Sequence, residues 1–553
     1  MSEPRRRYDS RFEFPPQPRP SEVRLESVPS VKPNGPRFTA STRRVTAATL
    51  LCLWGCGAIY LSARPTPATA ASSTTAALLG TGTLEFEIRD ATSGKPIAAR
   101  IVVRDDRGRP KRIASIVRQG TEGYVFYEVT MKLPEGDYTY EIDAGPEYRP
   151  LNGSFSLRTN DLHREPIVVE RAVDLASEDW AVVEQGVLEN REEADVIVAA
   201  TQARHAGAQC GPFPARRGRR DFAAPSDPAH TWFAWYPLEL GNARLALWDP
   251  SLDPFDEANA GDAVAWPHDV ESLLEWKAAD NRRRVLLDSV LADSLPLWAG
   301  LEVLDGVGVL TEFDSPDAER VPTTGYDVEP RVARDPEQLL RASIERYQQL
   351  LASDVYLPPT ALSRWDTDQR PLGMHRTMTA MKIGNRPVAP WDALSDGFTW
   401  ISSGPLVRFT ASRERPGTLF SRPRGQTEKL QLAFSVTSRY PIDHIELHQT
   451  GQLVRQFTLR ELAQNPEPIS VEFSSSGWLL AVAWAGDQED RRIALAAPFR
   501  VDIGGEPYID PRAVRAQLAL LDQLEAEWGT DSSSPARDEH FARARDFWTS
   551  RLP

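Results

Sequence analysis

The stretch TLEFEIRD, from Thr83 to Asp90, alternates apolar and polar residues with a period of two. In a β-strand its Leu, Phe and Ile would line one face while the charged residues line the other. The same alternation returns around Tyr138, and turn sequences such as Asn152-Gly153 separate the apolar runs. Short strands with this spacing predict a β-sandwich over residues 83–171.

Upstream of this region lies an uncharged segment, VTAATLLCLWGCGAIYLSA, from Val45 to Ala63. As a helix its 19 residues would span roughly 28 Å, close to the ~30 Å hydrocarbon core of a bilayer. Arg43 and Arg44 precede the segment, and the positive-inside rule places such a flank in the cytoplasm. The sequence therefore predicts a single transmembrane helix over residues 45–63, with every later domain extracytoplasmic.

The flanks of this segment agree with that topology. Residues 1–44 are rich in Pro, Arg and Ser and predict a disordered cytoplasmic tail, while residues 64–82 predict a flexible linker. Three alternatives stay open: a cleaved signal peptide ending near Ala70, a lipidated Cys56, and a buried core helix. The long leader, the bulky Trp54 and the polar flanks favour the membrane anchor.

Downstream of the first sandwich, two kinds of pattern divide the chain. Gly306–Leu310 is typical of a buried strand, and Asp335-Pro336 opens an amphipathic helical pattern. Elements of both types predict an α/β domain over residues 172–404. Period-two alternation returns over residues 405–507 and predicts a second β-sandwich, and residues 508–553 predict a closing helical segment.

Charge and cysteine content exclude several classes of protein. Residues 1–44 carry ten Lys/Arg and five Asp/Glu, so a total charge of −14 leaves −19 on the remainder. An acidic body repels nucleic acid, which argues against DNA or RNA binding. Cys52 and Cys56 lie in the uncharged segment and leave Cys210 alone, which excludes an intramolecular disulfide and a cysteine-based zinc site in the main body.

Several motifs occur in an order similar to that of one enzyme family. They are Asp90–Arg100, Leu133–Tyr138, Gly145–Tyr148, Arg171–Ala176 with Trp180, Leu295–Trp298, Asp305–Val309, Tyr356–Pro359 and Asp396–Leu406. Taken together, these motifs make the chain from about Leu84 to Leu524 resemble the CehA/McbA-type branch of the PHP (polymerase and histidinol phosphatase) metallohydrolase superfamily. The resemblance implies a distorted α/β barrel for residues 172–404 and a metal-dependent hydrolase as its ancestor.

In that family the first barrel strand ends in H-x-H, whose two imidazoles hold an ion that activates water. The matching positions here are Val183 and Gln185, and a later histidine position falls near Glu312. The resemblance therefore implies a degenerate cleft, with no expected cofactor unless an active hydrolase uses a divalent metal. The residues that could still line this cleft are Val183, Glu184, Gln185, Glu189, Asp305 and Glu312.

Other residues give weaker indications of a site. The eight histidines form no H-x-H or H-E-x-x-H pair. His444 and His448 lie four apart in an alternating segment, which predicts an exposed strand face. His268 precedes Asp269, which is expected to cap a helix. A set of aromatic residues could stack on sugar rings or fill a core: Trp232, Phe233, Trp235, Tyr236 and Trp248.

The sequence as a whole predicts an α+β multidomain fold. Its parts are a carboxypeptidase-regulatory-like β-sandwich, a PHP-like distorted α/β barrel, a C-terminal β-sandwich, and the single N-terminal transmembrane helix. The predicted function is that of a bacterial envelope protein, a pseudoenzyme that binds a carbohydrate or another small molecule. The alternatives are an active metal-dependent hydrolase and a structural cell-surface scaffold, and fold analogy decides between none of these.

Overall fold

The structure is a computed structural model. It describes residues 80–112, 117–119, 123–126, 128–183, 187–188, 210–214, 231–240, 243–252, 266–311, 321–322, 330–331, 336–362, 364–365, 375–464, 469–487, 490–528 and 535–553. The chain divides into two compact units, Met1–Leu78 and Leu79–Pro553, and every described residue belongs to the second. Strands predominate in this unit.

Two sheets packed face to face form its N-terminal part. One sheet, in the order β5-β1-β8, contains β1 (Thr81–Asp90), β5 (Glu128–Pro134) and β8 (Leu162–Val169). The other, in the order β3-β4-β2-β6-β7, contains β2 (Ala99–Asp105), β3 (Val117–Gln119), β4 (Gly123–Phe126), β6 (Gly136–Asp143) and β7 (Leu151–Leu157). Leu84, Phe86 and Ile88 are fully buried between the sheets, because alternate residues of β1 point into one core.

One sheet of 15 strands organises the rest of the unit. Its strands are β9 (Trp180–Val183), β11 (Cys210–Pro214), β12 (Thr231–Leu240), β13 (Ala243–Asp249), β14 (Arg284–Leu287), β15 (Gly306–Thr311), β18 (Pro359–Leu362), β20 (Arg376–Ala380), β23 (Thr399–Ser402), β25 (Leu419–Arg422), β27 (Ile442–Gln449), β28 (Gln452–Phe457), β30 (Gly477–Ala485), β31 (Arg492–Ala496) and β32 (Phe499–Ile503). The order is β18-β15-β14-β13-β12-β11-β9-β20-β23-β31-β30-β27-β28, with β32 beside β30 and β25 beside β32. Strands β14, β15 and β18 run parallel to one another.

The remaining elements are a smaller sheet, three strand pairs and the helices. A three-stranded sheet contains β24 (Leu406–Ala411), β26 (Glu428–Thr437) and β29 (Ile469–Phe473). Three two-stranded pairs are β10 (Val187–Leu188) with β19 (Arg364–Trp365), β16 (Val321–Pro322) with β17 (Pro330–Arg331), and β21 (Lys382–Ile383) with β22 (Arg386–Pro387). The described helices are α1 (Val270–Ala279), α2 (Leu295–Gly300), α3 (Pro336–Ala352), α4 (Pro390–Ser395), α5 (Leu459–Gln464), α6 (Pro511–Trp528) and α7 (Pro535–Thr549).

Strand β30, with the sequence GWLLAVAWA, is buried at all nine positions. Its even-numbered side chains, from Trp478 to Trp484, join a core that includes Trp298 of α2 and Leu521 of α6. Its odd-numbered side chains, such as Leu479, join a second core that it shares with β24, β26 and β29. The strand is therefore the wall between a helix-covered layer and a β-sandwich.

The predicted PHP-like α/β barrel is wrong. Among the described residues the sheet does not close: β18 and β20 form no ladder, although the Ala361 N–H donates to Thr377 Oγ1 across the gap (2.9 Å). The physical reason is that β23 pairs with β31, so the sheet continues into the C-terminal sandwich. The fold is mostly β-sheet in several sheets, rather than an α+β fold built on a barrel.

The prediction of a single-pass membrane protein is also corrected. No helix in the described ranges is long and apolar enough to cross a membrane. The longest of these, α6, has 18 residues and is amphipathic, with charged residues such as Arg515 and Asp522. Residues 45–63, the predicted transmembrane helix, lie outside the described residues. The localisation that depended on that helix, with a cytoplasmic N-terminus and extracytoplasmic domains, is not retained.

The double burial of β30 predicts an unequal response to two leucine truncations. Leu480→Ala should destabilise the protein by about 2–5 kcal/mol, because it opens a cavity in a filled core. Leu453→Ala, on the exposed strand β28 where Leu453 is 50% exposed, should change stability by less than about 0.5 kcal/mol. Urea unfolding followed by tryptophan fluorescence measures both. Equal effects would contradict the placement of β30.

Candidate functional site

Val183, the first predicted ligand position, is the last residue of β9 and is 1% exposed. Its side chain belongs to an apolar cluster of Val183, Ala246, Trp248, Leu286, Leu362 and Leu394. These residues come from β9, β13, β14, β18 and α4, and the four strands are spread along the sheet order. They meet because the sheet is curled, so they fill its concave face. The concave face at Val183 is therefore packed with hydrocarbon.

Strand β15 adapts to this packing by carrying glycine at two positions on one face. A Cβ at Gly306 would lie 3.0 Å from Leu286 Cδ2. A Cβ at Gly308 would lie 1.9 Å from the Asp288 carbonyl oxygen and 2.7 Å from Leu362 Cδ1. The backbone at Asp288, together with side chains of the neighbouring strands β14 and β18, thus occupies the space that side chains at these two positions would need. The Gly-Val-Gly-Val pattern is a packing requirement of the filled face.

Asp305, another predicted cleft residue, has a structural role. Its Oδ2 accepts hydrogen bonds from Lys277 Nζ (2.5 Å) and from the Val285 N–H (2.7 Å). It therefore ties α1 to the start of β14 and does not face the concave cluster. The other predicted cleft residues, Glu184, Gln185, Glu189 and Glu312, lie outside the described residues.

Asp288 is a buried carboxyl group that the sequence did not single out. It follows β14 directly and is 5% exposed, and neither of its oxygens has a hydrogen-bond partner among the described residues. Burial raises its pKa well above the ordinary value, and Arg244, whose Nε is 3.8 Å from Oδ2, only partly opposes this. It lies at the carboxyl end of a parallel strand, where α/β sheets commonly bind ligands.

His375 lies close to the same end of the sheet, just before β20. Its Nδ1 is 3.2 Å from the Leu362 carbonyl oxygen, so the imidazole can donate a hydrogen bond there. Burial lowers the pKa of His375 to about 4, even though this hydrogen bond favours the charged form. The imidazole is therefore neutral at physiological pH.

A second polar cluster lies on β27, where Glu446 accepts from two histidines. His444 Nε2 is 3.0 Å from one carboxylate oxygen, and His448 Nε2 is 3.1 Å from the other. Burial alone would raise the pKa of Glu446, but the hydrogen bonds from His448 and His444 outweigh it and hold the pKa at about 2. The two histidines share one face as predicted, yet His444 is only 7% exposed.

Helix α3 and the end of β30 explain why this face is covered. Arg341 of α3 lies over the Trp484 ring at 4.4 Å, and its guanidinium is 3.5 Å from Glu446. Arg491 joins Glu337 of α3 to Asp443 through ion pairs of 3.0 and 3.2 Å. The prediction of an exposed histidine face is therefore wrong, since the network joins α3 to the C-terminal sandwich.

The remaining predicted residues have structural surroundings as well. Trp248 is 1% exposed within the concave cluster, and Tyr236 stacks on Trp266 with ring centroids 5.2 Å apart. The side chains of Trp232, Phe233 and Trp235 lie outside the described residues. Asp269 caps α1 as expected, accepting from the Ser272 N–H (2.8 Å).

The part of the chain that the structure describes contains no group of three or more His, Cys, Asp or Glu side chains that could hold a metal ion. Neither cluster therefore assembles the ligand set of a metal centre. Glu446 is occupied by its two histidines, and Asp288 stands alone.

Comparisons with known proteins do not assign a family. No family model matches the chain. No curated protein matches it either. Among solved structures, the Bacillus anthracis TIE protein is similar over 20% of this chain and 19% of its own, with 18% identity and a TM-score of 0.14.

Two further solved structures cover more of the chain. The apo structure of Bacteroides uniformis beta-glucuronidase 3 is 10% identical over 74% of this chain and 60% of its own, with a TM-score of 0.16. Another Bacteroides uniformis beta-glucuronidase is 8% identical over 77% and 58%, with a TM-score of 0.15. The chain spans less than two thirds of each of these proteins. The resemblance to the PHP family stays a prediction, since none of these comparisons tests it.

The raised pKa of Asp288 predicts a pH-dependent effect of Asp288→Asn. The folded state binds the Asp288 proton more tightly than the unfolded state, so this group lowers stability as pH rises above about 4. Asparagine cannot ionise, so it does not carry this pH-dependent cost. From pH 3.5 to pH 7.5, the free energy of unfolding of the variant should therefore rise by about 1–3 kcal/mol relative to that of wild type. Urea titrations at both pH values measure this. The same difference in stability between variant and wild type at both pH values would contradict the prediction. Asp106→Asn, at an exposed turn, is the control.

The lowered pKa of Glu446 predicts the opposite pH dependence. Its contribution to stability is present above the unfolded-state pKa of about 4.5 and is lost as pH falls toward 2. Glu446→Gln should cost about 3 kcal/mol at pH 7 and reduce the acid sensitivity of unfolding between pH 5 and 2. Glu472→Gln, exposed on β29, is the matched control. Unchanged acid sensitivity in Glu446→Gln would overturn the assignment.

Proposed function

We propose that the described part of the chain is a non-catalytic binding protein. The observation that carries this proposal is the filled concave face, in which Val183 and Leu362 occupy the space that a substrate and an ion would need. Catalytic hydrolysis by a metal requires an open coordination position beside the substrate. A face closed by apolar side chains offers neither, and it supports binding at other surfaces.

The hydrogen bonds that the acidic residues accept support the same proposal. Asp305 holds Lys277 and a backbone N–H, and Glu446 holds two histidines. A carboxylate that already accepts two or more hydrogen bonds would lose them if it turned to bind a metal ion. Metal binding by such a carboxylate would therefore cost free energy. These groups act as joints between elements.

A structural scaffold is the second candidate, and one contact favours it. The Arg439 guanidinium pairs with Asp143 (2.8 Å) and donates to the Tyr148 carbonyl (2.6 Å) and to the Gly145 carbonyl. It joins the segment before β27 to the N-terminal sandwich through several directional bonds. A structural scaffold needs rigid connections of this kind between its parts and needs no small-molecule site. A binding protein needs the connections and a ligand site.

The proposal predicts that histidine at the family ligand positions will not create a metal site. Val183→His with Gln185→His should destabilise the protein by about 1–3 kcal/mol, because one imidazole enters a packed apolar cluster. Zinc affinity, measured by calorimetry on the full chain, should not rise above that of wild type. Val454→His on exposed β28 controls for an added surface imidazole.

One result would replace the proposal with an active hydrolase. Metal analysis of the purified full chain would have to find about one transition-metal ion per chain, with ester hydrolysis lost on chelation. We expect neither the ion nor the activity. A gain of zinc affinity in the double variant would likewise show that the concave face can open.

A further inference from the structure

A cleft of about 390 Å³ lies beside α4 and the β21–β22 pair. The buried guanidinium of Arg284 lines it. Arg284 Nη2 donates to Asp392 Oδ1 (2.7 Å) and Arg284 Nε donates to the Trp391 carbonyl (3.3 Å). Small-molecule sites typically measure about 300–1,000 Å³. The volume therefore suits a small ligand, and Arg284 is already fixed without one.

Two further charged side chains lie at the rim of this cleft. Arg386 on β22 and Asp396 at the end of α4 are both exposed and both line the cleft. Within the described part of the chain, neither side chain forms an ion pair or hydrogen bond, although they carry opposite charges. One cationic and one anionic group are thus available on the same small cleft.

The charges of the lining restrict the ligand. Arg284 and Arg386 balance Asp392 and Asp396, so the lining has no net charge. A neutral lining with two separated charges does not favour a phosphate, a dicarboxylate or a polyamine, because each of these carries an excess of one sign. It matches a ligand that carries one carboxylate and one ammonium group.

The uncharged part of the lining adds an apolar contact. Val388 and Ala389 lie between the two rim charges in sequence and line the cleft beside Ser395. These two side chains offer a short apolar contact beside the charged groups. A small apolar side chain on the ligand would gain about 0.8 kcal/mol for each buried methylene.

We propose that this cleft binds a zwitterion of the α-amino acid class with a small apolar side chain, such as valine. Arg386 holds the ligand carboxylate and Asp396 its ammonium group, while Arg284 and Asp392 form a preformed pair in the lining. The inference rests on the proposed binding function and names its ligand class. Because the cleft is open, affinity should be modest, with Kd on the order of 0.1–1 mM.

Calorimetric titration of L-valine into the full chain tests this. We expect one site per chain, and at least about tenfold weaker binding in Arg386→Ala and in Asp396→Asn. Both residues are exposed, so these variants should unfold at the same urea concentration as wild type. Arg107→Ala, at an exposed turn of the N-terminal sandwich, is the matched control and should bind valine as wild type does.

Three ligand controls separate the two charge contacts. Isovalerate has the carbon skeleton of valine without the ammonium group, isobutylamine lacks the carboxylate, and glucose is polar but uncharged. Each should bind at least about tenfold more weakly than valine. No binding of valine, equal binding of glucose, or valine binding unaffected by both rim variants would overturn the inference.

Failure here is distinguishable from failure of the proposed function. A metal-free, inactive chain that does not bind valine overturns the zwitterion site and leaves the non-catalytic proposal standing. A chain that contains a stoichiometric transition metal and hydrolyses esters overturns the proposed function, whatever valine does.

Discussion

Strand β30 must satisfy two cores at once. All nine of its residues are buried, with Trp478 and Trp484 toward the helices and Leu479 toward the sandwich. Burial of apolar surface contributes roughly 25 cal/mol per Å². A strand that is covered on both faces buries apolar side chains on each of them, while its backbone forms only one set of hydrogen bonds. The helices α2, α6 and α7 pack on one face of β30, and the sandwich covers the other face.

The pairing of β23 with β31 follows from this arrangement and decides the shape of the middle region. Because β31 pairs with β30, the sheet that begins at β18 continues without a break into the C-terminal sandwich. It curls far enough for Ala361 to reach Thr377 and for Leu362 to reach His375, yet these side-chain hydrogen bonds do not make the ladder that would close a barrel. The curl creates a concave face, and the glycines of β15 allow neighbouring side chains to fill it.

Local patterns predicted some of this and could not predict the rest. Alternation in β1 identified Leu84, Phe86 and Ile88 as core residues, because each faces a single core. In β30 every residue is apolar, so no period distinguishes a strand from a buried helix. The barrel failed for a related reason, since sheet closure depends on which distant strands pair, and single motifs do not contain that information.

The candidate site shows the same limit. The sequence revealed that Val183 cannot bind a metal, but not that it belongs to a packed cluster. It placed His444 and His448 on one face correctly, while the covering of that face by α3 depends on residues about a hundred positions away. Asp288 has no local signature at all, because its burial arises from the neighbouring parallel strands.

Several buried or half-buried acidic groups join one element to another. Asp305 fixes α1 to β14, and Glu446 fixes β27 to α3. At the N-terminal sandwich, Asp90 accepts from Tyr148 (2.8 Å) and Arg171 (3.2 Å) at the point where the chain leaves it. Such directional bonds set how each layer meets the next, which apolar contact alone leaves adjustable. Arg386 and Asp396, at the cleft beside α4, join no elements in the described part of the chain, and the proposed zwitterion would supply their partners.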